Sequence, residues 1–140
     1  MKKLIALIFI LAFIINFSYA GSPPAVIQKA FELKFPKATK VSWGKENKSE
    51  WEAEFTLDGN KISANFALDG SWLETEREIP VSQLPKPVIE AINKSNPGWK
   101  ITEADKTETA KNGLIYEAEI KSGFHKKVIA FKEDGTVVKE

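Results

Sequence analysis

Carboxylates recur at every second position in two short stretches, where Glu52 and Glu54 flank Ala53 and Glu117 and Glu119 flank Ala118. A period of two puts such groups on one face of a strand. The two pairs therefore predict an acidic stripe, and Glu74 is expected to join it across the next hairpin. A stripe of this kind can meet a basic partner or a hard cation. It is also what the wet side of an amphipathic sheet looks like, with Lys61, Lys126 and Lys132 interspersed. A calcium ion asks for about six to eight oxygen ligands, more than an alternating strand offers by itself. Other chemistries lack their parts. His125 is the single histidine and there is no cysteine, so nucleophilic triads and zinc sites with nitrogen or sulfur ligands cannot be assembled. No Gly-x-Ser-x-Gly, His-Glu-x-x-His or phosphate-loop pattern occurs. The chain reads as non-enzymatic, without a cofactor, and His125 reads as a surface residue near a hairpin turn.

The four tryptophans are the second set of informative residues. Trp51 alternates with the carboxylates and belongs to a buried stripe, whereas Trp43, Trp72 and Trp99 do not share one. A large aromatic on an open sheet face bordered by charges serves as a protein-binding anchor, and Trp72 is expected there. Trp43 and Trp99 fit that role or a place over the ends of a helix–sheet core, where indole buries its ring and keeps its N–H wet. The expected binding face consists of Trp72, Asn65, Ser63, Glu52, Glu54 and Glu74, with Glu117, Glu119, Val128 and Ala130 as counterparts later in the chain.

The elements that must position these residues follow from period and punctuation. Trp51-Glu52-Ala53-Glu54-Phe55 returns as Tyr116-Glu117-Ala118-Glu119-Ile120, and the same offset places Phe66 on Phe131 and Asp69-Gly70 on Asp134-Gly135. This self-similarity predicts a tandem duplication. Ahead of each copy lies a short helix. Ile27, Ala30 and Phe31 form the stripe of the first, with Ser22 as N-cap, Pro23 in the first turn and Pro36 as terminator; Val88, Ile89 and Ile92 form the stripe of the second, ended by Asn96-Pro97-Gly98. Helices so short are marginal alone in water and must dock on something.

That partner is sheet. Asp58-Gly59 supplies a two-residue hairpin turn, and pairing outward from it sets Phe55 opposite Ile62, Ala53 opposite Ala64 and Trp51 opposite Phe66 on one face. A slip of one residue would send the whole set to solvent. Asp69-Gly70 predicts a second hairpin, with Leu73 beside Phe66 on the inner face and Trp72 beside Ala67 on the outer one. In the later copy Tyr116, Ala118, Ile120, Ile129, Phe131 and Val138 are expected inside, with a turn near Gly123-Phe124 and Lys127 excused by an edge position. The expected class is α+β: two modules, each a helix plus a four-stranded antiparallel sheet, spanning residues 21–80 and 81–140, with both helices on one side of a continuous sheet or two abutting ones.

Compartment follows from the first twenty residues. Lys2 and Lys3 precede an apolar run over residues 4–15, and Ser18-Tyr19-Ala20 offers small residues at the positions a signal peptidase reads. Residues 1–20 are thus expected to be a signal peptide cleaved after Ala20, leaving a periplasmic or secreted chain without stable membrane insertion. Without Lys2 and Lys3 the balance of 20 basic and 19 acidic residues becomes 18 against 19, which gives no nucleic-acid footprint. At 43% hydrophobic and 28% charged residues, the chain is of globular composition.

The helix ending in Phe35-Pro36, the Trp51-Glu52-Ala53-Glu54-Phe55 strand and the hairpins at Asp69-Gly70 and Asp134-Gly135 together resemble the PepSY-like family of beta-lactamase-inhibitor-like proteins, over about residues 24–140. The resemblance implies a small exported bacterial protein whose open sheet face is a docking surface; in the beta-lactamase inhibitor that face grips an enzyme. That inhibitor is stapled by disulfides, and this chain, with no cysteine, departs from it. The functional expectation is a binding module that engages an envelope or extracellular protein through its helix-free face, as an inhibitor or a sensor. The alternative is periplasmic binding of a small ligand or cation by the acidic face.

Overall fold

A computed structural model describes residues 21–138 of the chain. The expected signal peptide at residues 1–20 lies outside the described residues. Helix α1 (Ala25–Lys34) and helix α2 (Lys86–Ser95) are each preceded by a proline in extended conformation, Pro24 and Pro85. The carbonyl of Pro24 accepts the N–H groups of Ile27 and Gln28, and that of Pro85 accepts those of Val88 and Ile89. Neither helix has a side-chain cap, so Ser22 is not the N-cap expected from its residue type; Pro24 holds that position. Pro36 cannot donate the next helical hydrogen bond, and α1 ends with the Phe35 N–H on the Phe31 carbonyl. At the end of α2 the buried Asn96 closes the last turn with both its backbone and side-chain N–H groups on the Ile92 carbonyl.

The described residues form seven strands, four before α2 and three after it: β1 (Thr39–Lys45), β2 (Glu50–Leu57), β3 (Asn60–Ala67), β4 (Trp72–Glu78), β5 (Lys100–Thr109), β6 (Gly113–Ser122) and β7 (His125–Phe131). They form a single sheet in the order β1-β2-β3-β4-β5-β6-β7, antiparallel at every step. This overturns the expected pair of helix-plus-four-strand modules. β4 pairs with β5 through Glu74–Thr109 to Glu78–Asp105, so the sheet runs unbroken across the middle of the chain. After the Asp134-Gly135 turn the described residues make an isolated bridge, Phe131 with Val137, in place of the further strand expected there.

The β2–β3 hairpin has the expected register, with Trp51 opposite Phe66, Ala53 opposite Ala64 and Phe55 opposite Ile62. Asp58 and Gly59 both have positive φ, as a two-residue hairpin turn of this twist demands. The next hairpin differs. Asn65 pairs with Glu74 but Phe66 pairs with Trp72, which leaves Leu73 as the extra residue of a bulge. A bulge reverses the side-chain alternation beyond it, so Trp72 lies on the helix side.

Both helices cover the same sheet face, because register carries the side of Ala64 through Thr75 and Glu108 to Leu114, two residues before Tyr116 on β6. Ile27 and Phe31 of α1 pack on Trp51, Ala53, Phe55, Ala64 and Phe66, with Trp43 and Trp72 against the cluster. Val88 and Ile92 of α2 pack on Ala104, Tyr116, Ala118, Ile120 and Phe131, with Trp99 and Ile129 alongside. Each fully buried valine, isoleucine or phenylalanine among these stabilises the fold by about 1.5–3 kcal/mol, which is what holds a three-turn helix in place. Trp43 and Trp99 thus take the end-of-core role. The edge position of β7 accommodates Lys127, whose Nζ lies 4.9 Å from the Trp99 ring centroid.

Candidate binding face

The sheet surface away from the helices is built by the alternate residues of all seven strands, with Ser42 and Gly44 of β1 beside Glu54 and Glu52 at one edge. Three neighbouring rows cross it: Glu52–Asn65–Glu74, then Glu54–Ser63–Glu76–Thr107–Ile115, then Glu78–Asp105–Glu117–Ala130. Beyond them Glu103, Glu119 and Val128 share a fourth. Neither α1 nor α2 packs there, yet Asn65, Thr107, Ile115 and Glu119 are buried. Side chains of the sheet itself therefore exclude water from the middle of this face.

The polar groups that are covered have partners. Asn65 Nδ2 donates to Glu74 Oε1 at 3.3 Å, and Thr107 Oγ1 donates to Glu117 Oε2 at 3.1 Å. Thr102 Oγ1 donates to Glu119 Oε1 at 2.9 Å while Lys126 Nζ donates to Glu119 Oε2 at 2.8 Å. The Lys126 bond, with that from Thr102, holds the Glu119 carboxyl below its usual range.

The central carboxylates behave in the opposite way. Glu76, in the middle row, is raised to about 9, first by burial and then by the charges of Asp105, Glu117 and Glu74. Burial likewise raises Glu52 and Glu74 to about 7, with Glu46 and Glu54 adding to the first and Glu117 and Glu50 to the second. Asp105 is raised to about 6 by burial and by Glu117. Like charges brought together in a partly dry surface disfavour ionisation. The centre of the face therefore holds its protons more firmly than free carboxyl groups do.

Nine of the ten residues expected on the binding face are on this surface. Ser63, Asn65, Glu52, Glu54 and Glu74 sit together in its first half, and Glu117, Glu119, Val128 and Ala130 in its second, with Glu119 already engaged by Lys126. Trp72 is not there. Its ring packs half-buried against the α1 cluster, its indole N–H donates to Thr75 Oγ1 at 2.9 Å, and Lys34 Nζ stands 3.7 Å from a ring centroid. The Leu73 bulge is the physical reason. Sequence reading missed Glu76, Asp105 and Thr107, which occupy the centre; the alternation of Glu74, Glu76 and Glu78 was the available signal. Among the described residues no group of three or more His, Asp or Glu side chains is arranged to hold a metal ion.

Comparison with known proteins agrees with this architecture. Residues 49–139 match the family model described as "Putative beta-lactamase-inhibitor-like, PepSY-like". A BLIP-like protein from Bacteroides fragilis is 24% identical and superposes with a TM-score of 0.72 over 85% of each chain. A protein from Bacteroides eggerthii, described as a putative periplasmic protein, is 20% identical with a TM-score of 0.73 over 85% of this chain and 88% of its own. No curated protein sequence matches the chain. With the family model covering most of its length and the sheet continuous through the matched region, the chain belongs to the PepSY-like family of beta-lactamase-inhibitor-like proteins.

Proposed function

We propose that this protein is an exported, non-enzymatic binding module that engages another protein through the helix-free face of its sheet, and that the partner presents basic groups to it. The observation that supports this reading is the gathering of Glu52, Glu74, Glu76, Asp105 and Glu117 in adjacent rows on the face opposite α1 and α2. Such an array is costly for the free chain, since burial and mutual repulsion raise four of these carboxyls. Lysine or arginine side chains docking on the face offset that cost and add charge-assisted hydrogen bonds. The family description makes a beta-lactamase the first partner to try, with inhibition as the readout; a sensor role fits the same surface.

The test is affinity capture from periplasm or culture fluid, comparing the chain from Gly21 onward with its Glu52→Gln/Glu74→Gln variant. One discrete protein held by the first and released by the second supports the reading. Equal capture by both sinks it. A calcium titration read by thermal shift is run alongside, since a specific ligand raises the melting temperature in proportion to its affinity for the folded state; a calcium-dependent rise with no protein captured transfers the face to cation binding.

A further inference from the structure

We propose that the tip of the β6–β7 hairpin is a membrane-surface contact, which sets Phe124 into the headgroup layer of an anionic bilayer with lysines around it. Phe124 is fully exposed, at 103% of its reference area, at the apex of a turn in which Gly123 takes a φ of 58°. A phenylalanine held wholly in water at a turn gains nothing from the fold. It loses apolar surface to water that any apolar contact would recover.

The surroundings say which contact. Residues 120–132 contain Lys121, Lys126, Lys127 and Lys132 and no aspartate or glutamate. One rung below the turn pair Ser122–His125, Lys121 pairs with Lys126, and Lys100 of β5 pairs with Lys121 on its other side. Lys127 projects to the helix side over Trp99, while Lys121 lies on the opposite side beside Lys126, whose ammonium is paired with Glu119. Positive charge therefore flanks the apex on both sheet faces. A soft planar surface accepts the fully exposed ring and pairs the lysines with lipid phosphates. Along β6 from the tip, Lys121 comes before Glu119 and Glu117, so an anionic surface meets the lysines first and the acidic face stays clear for its own partner.

The experiment is sedimentation of the chain from Gly21 onward with phosphatidylglycerol vesicles and with phosphatidylcholine vesicles at low ionic strength. Binding to the first and not the second is expected. Each lysine at the surface is worth about fivefold in partitioning, so Lys100→Gln/Lys121→Gln is expected to weaken it roughly 25-fold, and Phe124→Ala about tenfold for loss of the inserted ring. All variants should keep the parent melting temperature, as these side chains are exposed. Glu52→Gln/Glu74→Gln should leave vesicle binding unchanged, which separates this contact from the acidic face. Failure to sediment with phosphatidylglycerol overturns the proposal, as does partitioning that Phe124→Ala leaves intact. If vesicles do not bind and Phe124→Ala abolishes capture of a protein instead, the tip is part of a protein interface and the membrane reading is wrong.

Discussion

Trp72 stands directly opposite Phe66 in the β3–β4 ladder, and this one pairing moves the largest side chain of β4 from the open face to the core of the first helix. Replacing it with alanine removes its packing on the α1 cluster, its hydrogen bond to Thr75 and the Lys34 ammonium stacked on its ring. Because the side chain is half-buried, the expected loss is about 2 kcal/mol, below the 3–5 kcal/mol of a fully buried aromatic. Urea unfolding of Trp72→Ala checks it. Capture of a partner by the acidic face should be untouched; an unchanged midpoint with lost binding would return Trp72 to the open surface.

What was readable in the sequence was whatever local chemistry decides. Asp58-Gly59 fixes a turn geometry, and a turn fixes register, so the sequence alone places Trp51, Ala53, Phe55, Ala64 and Phe66 on one face, as the β2–β3 ladder has them. The Leu73 bulge has no residue signature, and it inverted Trp72 while leaving Glu74 where alternation put it. β5 carries few apolar residues and is interrupted between Ile101 and Glu103, so its pattern is faint. The burial of Glu76 and Thr107 was not legible at all, since it arises only when β4 and β5 pair and bring Asp105 and Glu117 alongside. Likewise the self-similarity of the chain suggests two equal four-stranded modules, whereas the strand expected after Asp134-Gly135 shrinks to the Phe131–Val137 bridge.

Gly135 and Gly59 share nearly the same φ, +82° and +81°, but differ in surroundings. A Cβ on Gly135 would come within 2.5 Å of the Pro87 carbonyl oxygen at the start of α2, whereas one on Gly59 meets nothing within 4 Å. Gly59→Ala should cost about 1 kcal/mol, the strain of a left-handed alanine. Gly135→Ala should cost at least roughly 2 kcal/mol more, because α2 or the turn must shift. Paired thermal melts read the difference directly; equal costs would mean that the turn does not bear on the helix.

Stability should fall as pH rises from 5 to 9. Glu76 keeps its proton in the folded chain up to about 9 but releases it near 4.5 when unfolded, so between those values the folded state binds more protons and loses ground with rising pH. Glu52 and Glu74 act likewise up to about 7, and Asp105 up to about 6. Glu119, Asp69 and Asp134 are held below their ordinary values; their contribution is present above the unfolded value and is lost as acid titrates the folded one. Lys126, raised by Glu119, contributes fully below its ordinary value and loses that contribution above it. The melting temperature should therefore peak in mild acid and drop by several degrees toward pH 9. In Glu76→Gln the slope should flatten, with a higher melting temperature than the parent at pH 8. A melting temperature that climbs steadily from pH 5 to 9 contradicts the placement of these carboxyls.

The same groups make partner binding a proton-releasing reaction. A lysine or arginine brought against Glu52, Glu74 or Glu76 favours their charged forms and lowers their pKa values, so association near neutral pH must expel protons that the free face holds. By linkage, affinity then rises with pH across the window from about 6 to about 9 and weakens on acidification, the reverse of the stability trend of the free chain. Calorimetric titration of the captured partner in two buffers of different ionisation enthalpy measures the protons released. Between one-half and two per complex are expected at pH 7.5, fewer in Glu76→Gln. A complex that forms with no proton release and pH-independent affinity would mean that the partner does not touch Glu52, Glu74 or Glu76.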